Sequence, residues 1–170
     1  NVDKAKNLAA KAGAVWDAAG EQNATENPWI MAECQKRGIK PIFAFISADP
    51  KQTWENPKRG VVERANKIGR MVDSRLFADS YSMGAKNFHA FHQQHKDSGN
   101  AEFIILDNTK SPPVELNEVP QEALQVDSNE LNASSLKVLK ERADTLRPSV
   151  VRGGSIGERV WGKPKENANE

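Results

Sequence analysis

Cysteine is nearly absent from this chain: Cys34 is the single one among 170 residues, which excludes an internal disulfide and fits a reducing compartment. Aromatic residues contribute only 6%, so a modest hydrophobic core is expected. The net charge is +1, which provides no overall field toward nucleic acid or acidic lipid. No apolar run approaches the roughly 20 residues of a membrane-spanning helix. We therefore expect no membrane and no nucleic-acid partner, and a location in the cytoplasm or in a larger particle.

Also missing is the pattern GxxxxGK followed by Ser or Thr, the loop whose backbone N–H groups hold nucleotide phosphates. The chain begins with Asn1 rather than methionine. Apolar residues recur at helical spacing over 1–11, with no clear N-cap motif before them. This pattern predicts a helix that is already under way at the first residue, which indicates that further sequence precedes it.

Short apolar runs alternate with helical periodicities along the first two thirds of the chain. Buried strands are predicted at 14–17, 42–46 and 103–106, and helices at 28–37, 58–68 and 74–96. The run 42–46 is continuously apolar, as expected of a strand that is buried on both faces. Strands that alternate with helices predict an α/β fold, in which a parallel sheet has flanking helices and right-handed crossovers.

The character of the chain changes after Asn108. The predicted organisation is a domain over 1–110, a linker over 111–128, a helix over 129–147 and an extended or disordered tail over 148–170. Prolines punctuate the linker, whereas glycine, proline and charged residues dominate the tail. Trp161 is an exception within the tail and could dock on a partner.

Polar residues follow the predicted strands, at the sheet edge where ligands of open parallel sheets bind. Asp17 and Gly20 follow the first strand, the segment 47–49 follows the second, and Asp107 and Asn108 follow the third. Asp17 could accept a hydrogen bond from a substrate hydroxyl or hold a magnesium-bound water. It could equally cap a helix or form a turn, and its position favours neither interpretation.

Two arginines, Arg64 and Arg70, lie six positions apart in and after a predicted helix. Arginine is always charged and presents a planar fork of donors to phosphate oxygens, so the pair suits a polyphosphate clamp. Gly69 lets the backbone break between them and could return Arg70 toward the strand ends. The alternative is that both are solvated, or paired with Glu63 and Asp73.

Trp54 and three histidines each have a structural and a functional interpretation. Trp54 is predicted in a polar loop and could stack on a base or sugar, although core packing is the default role of tryptophan. His89, His92 and His95 recur every three residues on the longest predicted helix, a spacing that zinc sites can use. No cysteine lies at a supporting spacing, so a half-exposed helix face is favoured and no metal site is predicted.

In their order and spacing, five short segments resemble the second half of the zeta-toxin family of P-loop kinases. They read Val15-Trp16-Asp17-Ala18-Ala19-Gly20, Ile42 to Ile46, Gly60-Val61-Val62-Glu63-Arg64, Gly69-Arg70, and Phe103 to Asn108. At these places the family has a strand that ends in an acidic-glycine-threonine-glycine motif, a second strand, a Glu-Arg with a later Arg, and a last strand ending near Asn. The resemblance extends from the opening helix to Asn108.

The resemblance implies a partial P-loop kinase-like layer and an ATP-dependent kinase with Mg²⁺ that phosphorylates a nucleotide sugar, UDP-N-acetylglucosamine in the best-known members. Arg64 and Arg70 would match the arginines that contact the ATP phosphates and stabilise the transferring group. Asp17 would match the acidic residue of the substrate strand. The predicted site comprises Arg64, Arg70 and Asn108 for ATP and Asp17, Gly20 and Trp54 for substrate, with the two arginines as catalytic groups.

The chain also departs from the family. The phosphate-binding loop and the upstream aspartate that acts as base are absent, and Ala19 stands where the family has a substrate-binding threonine. We therefore expect the chain to be inactive without a missing N-terminal half, which is its first expected partner; an antitoxin or a larger assembly is expected by family analogy. The alternative is a non-catalytic remnant that serves as a structural or interaction module of a larger toxin or virion protein.

Overall fold

The computed structural model describes residues 23–69 and 71–146, which form a mixed α/β structure. In chain order the elements are α1 (Asn23–Lys36), β1 (Ile42–Ser47), α2 (Pro50–Glu55), α3 (Val61–Ile68), α4 (Ser74–His95), β2 (Glu102–Asp107), β3 (Val114–Leu116), α5 (Gln121–Leu124), α6 (Ser128–Glu141) and a 3₁₀ turn (Ala143–Thr145). The predicted opening helix, the first predicted strand and the predicted tail from 148 onward lie outside the described residues.

The described residues divide into two compact units, each built from two separate stretches of chain. One contains residues 23–48 and 79–126, and the other contains residues 49–78 and 127–146. We call them the sheet unit and the helical unit. The long helix α4 contributes its first turn to the helical unit and the remainder to the sheet unit.

The sheet has three strands in the order β1-β2-β3. β1 and β2 are parallel, with Ile42 opposite Glu102 and Ser47 opposite Asp107. This confirms the predicted parallel pairing of the two longest described strands. β3 is antiparallel to β2 and lies inside the stretch interpreted as a linker, so that interpretation missed a strand. The layer is thus mixed, and its assignment to a P-loop kinase remains a prediction.

One face of the sheet carries the core of the sheet unit. Phe43 and Phe45 of β1 point to this face, as do Phe103 and Ile105 of β2, because side chains alternate along a strand. The ring of Phe91 on α4 meets that of Phe43 edge to face, with centroids 4.9 Å apart. Members of this core also come from α1 and α4, and they include Met31, Ala85, Phe88 and Phe91. Both helices therefore cover the same side of the sheet.

The other face of β1 is exposed, which corrects the prediction of burial on both faces. Ile42 and Ile46 are each 60% exposed, and Ala44 between them is exposed as well. An uninterrupted apolar run predicts cover on both sides. Within the described residues only the Phe43 side is covered, because α1 and α4 both pack there.

Two helices begin earlier in the chain than their sequence signals predict. α1 starts at Asn23 rather than at the predicted residue 28, and Pro28 lies inside it. The added turn packs well, since Glu26 and Asn27 are both buried. α6 starts at Ser128 because the side chain of Asp127 accepts hydrogen bonds from two backbone N–H groups of the first turn. It ends at Glu141 instead of continuing as predicted.

Trp54 lies at the centre of the helical unit. It belongs to α2 rather than to the polar loop that the sequence suggested, because Asp49 caps the helix and Pro50 takes its first position. The Asp49 carboxylate accepts hydrogen bonds from the backbone N–H groups of Lys51 (2.8 Å) and Gln52 (3.1 Å). These contacts cap the N-terminus of a short helix, which directs the indole of Trp54 into the core.

Gly60, which precedes α3, lies where no side chain fits. A Cβ atom there would be 2.6 Å from the backbone nitrogen of Asn56 and 2.9 Å from the carbonyl oxygen of Trp54. We expect Gly60→Ala to lower the free energy of unfolding by about 1–3 kcal/mol, because the clash is with backbone. The matched control is Arg59→Ala at an exposed neighbour, which should change it by less than about 0.5 kcal/mol. Equal urea midpoints for the two variants would contradict the close approach.

Candidate functional site

The carboxyl ends of β1 and β2 are joined by a backbone hydrogen bond. The N–H of Asn108 donates to the carbonyl oxygen of Ser47 at 2.8 Å, so the parallel pairing continues one residue past β2. Ser47 is buried, whereas Asn108 is exposed. The side chain of Asn108 therefore stands at the strand ends, as predicted, and its role in binding ATP stays a prediction.

Asp107 forms a turn at the same edge. Its Oδ1 accepts hydrogen bonds from the Thr109 hydroxyl (2.6 Å) and the Thr109 backbone N–H (2.8 Å). The hydroxyl contact is the main cause that lowers the pKa of Asp107, followed by the backbone contact. The carboxylate is thus ionised at neutral pH and fixes the loop after β2. An anionic group at this edge can accept from a hydroxyl or ammonium group, but it would repel a phosphate.

Arg64 lies on α3 in the helical unit. Its neighbours Val62 and Ala65 are buried, which directs Arg64 to solvent. No ion pair engages its guanidinium within the residues that the structure describes. The predicted alternative partner, Glu63, instead binds Arg142 with a shortest distance of 3.3 Å. Of this Glu-Arg pair, the carboxylate therefore holds α3 to the end of α6, and the arginine is left for other contacts.

The end of α3 has the break in the backbone that the sequence predicts. Gly69 adopts the left-handed conformation with φ of +75°, and its N–H donates to the carbonyl of Ala65 at 2.7 Å. The chain consequently leaves the helix axis immediately before Arg70. Arg70 itself, like Asp17 and Gly20, lies outside the described residues, so the return of Arg70 toward the strand ends stays a prediction.

Trp54, the predicted substrate platform, is 1% exposed. Its indole N–H donates to the carbonyl oxygen of Ser135 at 3.1 Å, and its ring lies 4.7 Å from that of Phe77. Both the polar atom and a face of the ring are thus occupied by protein. These surroundings are those of a core residue, and a substrate role would require the unit to open.

A polar cluster in the sheet unit was not predicted. Glu118 accepts hydrogen bonds from Lys96 at 2.8 Å and from the side-chain amide of Gln93. The Lys96 contact is the main cause that lowers the pKa of Glu118. Its partners Lys96 and Gln93 are 22 and 25 residues away in the chain. No local sequence pattern predicts contacts between residues this far apart.

His92 contacts this cluster from the core side. The imidazole is buried, and its ring centroid lies 4.9 Å from that of Phe103. Its Nδ1 lies 3.7 Å from the Glu118 carboxylate and has no hydrogen-bond partner in the described part of the chain. Burial lowers the pKa of His92; Lys96 and His89 act in the same direction, while the charges of Glu118 and Asp97 oppose them.

The His92 environment predicts that acid destabilises the fold. Because its pKa is lower in the folded state, the unfolded chain takes up the proton first as the pH falls below about 6.5. The stabilisation is complete above that pH and is lost as the pH falls through the lowered folded value. We expect His92→Gln to weaken the pH dependence of the urea midpoint between about pH 8 and pH 5. A His92→Gln chain that keeps the full wild-type pH dependence would exclude His92 as the cause.

The histidines do not assemble a metal site in the described residues. No group of three or more His, Cys, Asp or Glu side chains is arranged there to hold a metal ion. None of the helices in this part of the chain has the length and apolar character needed to cross a membrane.

No protein-family model, no curated protein and no solved structure matches this chain. The resemblance to the zeta-toxin family therefore depends on the short sequence segments alone.

Proposed function

We propose that this chain is the carboxyl-terminal part of a zeta-toxin-like, ATP-dependent kinase that acts on a nucleotide sugar of the UDP-N-acetylglucosamine type. The observation that carries the proposal is the state of the Glu63-Arg64 pair. Glu63 is held by Arg142, while Arg64 faces solvent on a helix that ends at a left-handed glycine directly before Arg70. A surface arginine in this setting can reach a phosphate without first breaking an ion pair.

The proposed chemistry needs positive charge more than it needs a nucleophile. Phosphoryl transfer spreads charge over the oxygens of the transferred group, and arginines that face this charge stabilise the transition state. Arg64 and Arg70 would supply the donors, and Asn108 would contact the nucleotide. Asp17 and Gly20 would bind the sugar substrate.

The described residues do not fit Mg²⁺ by themselves, because they contain no cluster of carboxylate or imidazole ligands. They also lack a phosphate-binding loop. We therefore assign the holding of ATP and Mg²⁺ to the N-terminal half that the proposal requires, and assign to this chain the arginines and the substrate contacts. This chain alone is expected to be inactive.

The test is phosphoryl transfer by the natural gene product that contains these residues. Incubated with ATP, Mg²⁺ and UDP-N-acetylglucosamine, it should produce a new phosphomonoester signal in ³¹P nuclear magnetic resonance. The 170-residue chain alone is the matched control and should give no product. Absence of transfer to this and to other nucleotide sugars would contradict the proposal.

The exposed apolar face of β1 favours a second candidate, an interaction module without catalysis. Ile42 and Ile46 are more than half exposed on a strand of the sheet unit, a position that normally requires cover. The cover could belong to a larger toxin or virion assembly, or to an antitoxin. The gene sequence upstream separates the candidates: a strand that runs into a phosphate-binding loop favours the kinase, and its absence favours the module.

A further inference from the structure

Glu63 on α3 binds a cation from the end of α6. Its Oε2 accepts a hydrogen bond from the guanidinium Nη2 of Arg142 at 3.3 Å. Both side chains are largely buried, since Glu63 is 20% exposed and Arg142 is 29% exposed. Lys67 also approaches the carboxylate, at 3.8 Å, but its side chain is 63% exposed, so water screens this contact. Arg142 is therefore the main compensating charge for Glu63.

The backbone fixes Arg142 in place at the end of α6. Its N–H donates to the carbonyl of Val138 at 3.1 Å, and its carbonyl accepts from the N–H (3.0 Å) and the hydroxyl (2.8 Å) of Thr145. The carbonyl of Thr145 in turn accepts from the side-chain amide of Asn66 on α3 at 3.5 Å. α3 is thus held to this turn through Glu63 and Asn66, which lie three positions apart on one face of the helix.

Arg64 lies next to Glu63 in the chain but does not neutralise it, because consecutive side chains of a helix do not face each other. A helix with its side chains is about 10–12 Å across, so a phosphate held by Arg64 would lie about 10 Å from the Glu63 carboxylate. At that distance and at an effective dielectric constant of about 20, one uncompensated charge changes the affinity for an anion by on the order of tenfold. The partner of Glu63 therefore matters for any anion at Arg64.

We propose that Arg142 enables Arg64 to bind a polyphosphate, because Arg142 neutralises the Glu63 carboxylate beside that guanidinium. Arg142 does not touch the ligand. It acts through Glu63 and is a positioning residue, 79 positions after Glu63 in the chain. The inference rests on the phosphate contact of Arg64 in the proposed function, and it adds the residue that controls the charge of that contact.

Tripolyphosphate titrated into the full 170-residue chain tests the proposal, since it has the phosphate groups of ATP without base or sugar. Nuclear magnetic resonance follows binding at the Nε–H signal of Arg64. The wild-type chain should show a saturable shift, and Arg142→Ala should raise the dissociation constant about tenfold. Arg142→Ala combined with Glu63→Gln should return it to within about threefold of the wild-type value, because no uncompensated carboxylate remains. Lys140→Ala, which removes an exposed cation from the same end of α6, is the matched control and should change it less than about twofold.

Glu63→Gln alone separates charge compensation from a merely structural role of the pair. A pair that only stiffened α3 would lose its effect in this variant, and affinity would fall as in Arg142→Ala. Charge compensation predicts the opposite: Glu63→Gln binds tripolyphosphate at least as tightly as the wild type, since negative charge is removed and Arg142 stays. If Arg142→Ala fails to fold, this result decides.

Three results would overturn the proposal: weaker binding by Glu63→Gln, wild-type affinity in Arg142→Ala, or a wild-type Arg64 signal that does not respond to tripolyphosphate. Failure of the kinase proposal gives a different pattern. In that case the natural gene product transfers no phosphoryl group, while the dependence of tripolyphosphate binding on Arg142 persists and the inference stands.

Discussion

Trp54→Ala should lower the free energy of unfolding of the helical unit by about 3–5 kcal/mol. The indole is the largest side chain that is almost completely buried there, at 1% exposure, and it lies against Phe77. Its truncation removes the transfer free energy of an aromatic ring and leaves a cavity. It also leaves the carbonyl of Ser135 without the donor that it has at 3.1 Å.

Two further variants separate these contributions. Trp54→Phe keeps most of the apolar volume but loses the N–H, so a smaller loss is expected, on the order of 1–3 kcal/mol for an unsatisfied buried acceptor and a partial cavity. Leu76→Ala is the matched control, since Leu76 is 50% exposed on α4 in the same unit. Urea unfolding followed by circular dichroism measures all three. A Trp54→Ala chain no less stable than Leu76→Ala would show that the indole is not the core of this unit.

The second large effect is expected on catalysis. In the gene product that carries out phosphoryl transfer, Arg70→Ala should lower turnover by about 10³-fold or more, and Arg64→Ala should act in the same direction. Each removes a fixed positive charge opposite the charge that develops on the transferred group. Arg64 is not expected to stabilise the fold, because it faces solvent.

Matched substitutions distinguish phosphate recognition from a general loss of charge. Arg64→Lys keeps the charge but not the planar fork, so we expect partial activity. Lys67→Ala removes an exposed cation from the same helix and should leave turnover unchanged; Lys67 donates to the carbonyl of Lys58 at 3.3 Å and lies 3.8 Å from Glu63. Unchanged turnover in Arg70→Ala, with phosphoryl transfer intact, would remove that residue from the mechanism.

The sequence predicts strongly patterned elements well. The parallel pairing of β1 with β2 and the extent of α4 follow from long apolar runs and from periodicity over 22 residues. β3 has three residues and no period that could distinguish it from a loop. The segment 47–49 is predicted only as polar residues that follow a strand, although Asp49 and Pro50 are also the cap and first position of a helix. That missed alternative placed Trp54 in a loop rather than in the core.

The candidate site is less predictable, because its contacts join distant parts of the chain. Glu63 pairs with Arg142, 79 residues later, and this pairing could not be inferred from the neighbouring Arg64. The hydrogen bonds of Glu118 have the same character. The apolar run in β1 predicted burial on both faces. An apolar run indicates that a strand is normally buried, but it does not indicate which segment packs on each face. The break in the backbone at Gly69 could be predicted because it depends on one residue.

Titration calorimetry with magnesium-ATP tests the phosphate clamp most directly. The natural gene product should bind the nucleotide, and its variant with both Arg64→Ala and Arg70→Ala should bind it at least tenfold more weakly at the same fold stability. If the gene product takes up no nucleotide, or if the double variant binds as tightly as the original, the two guanidinium groups do not serve a kinase.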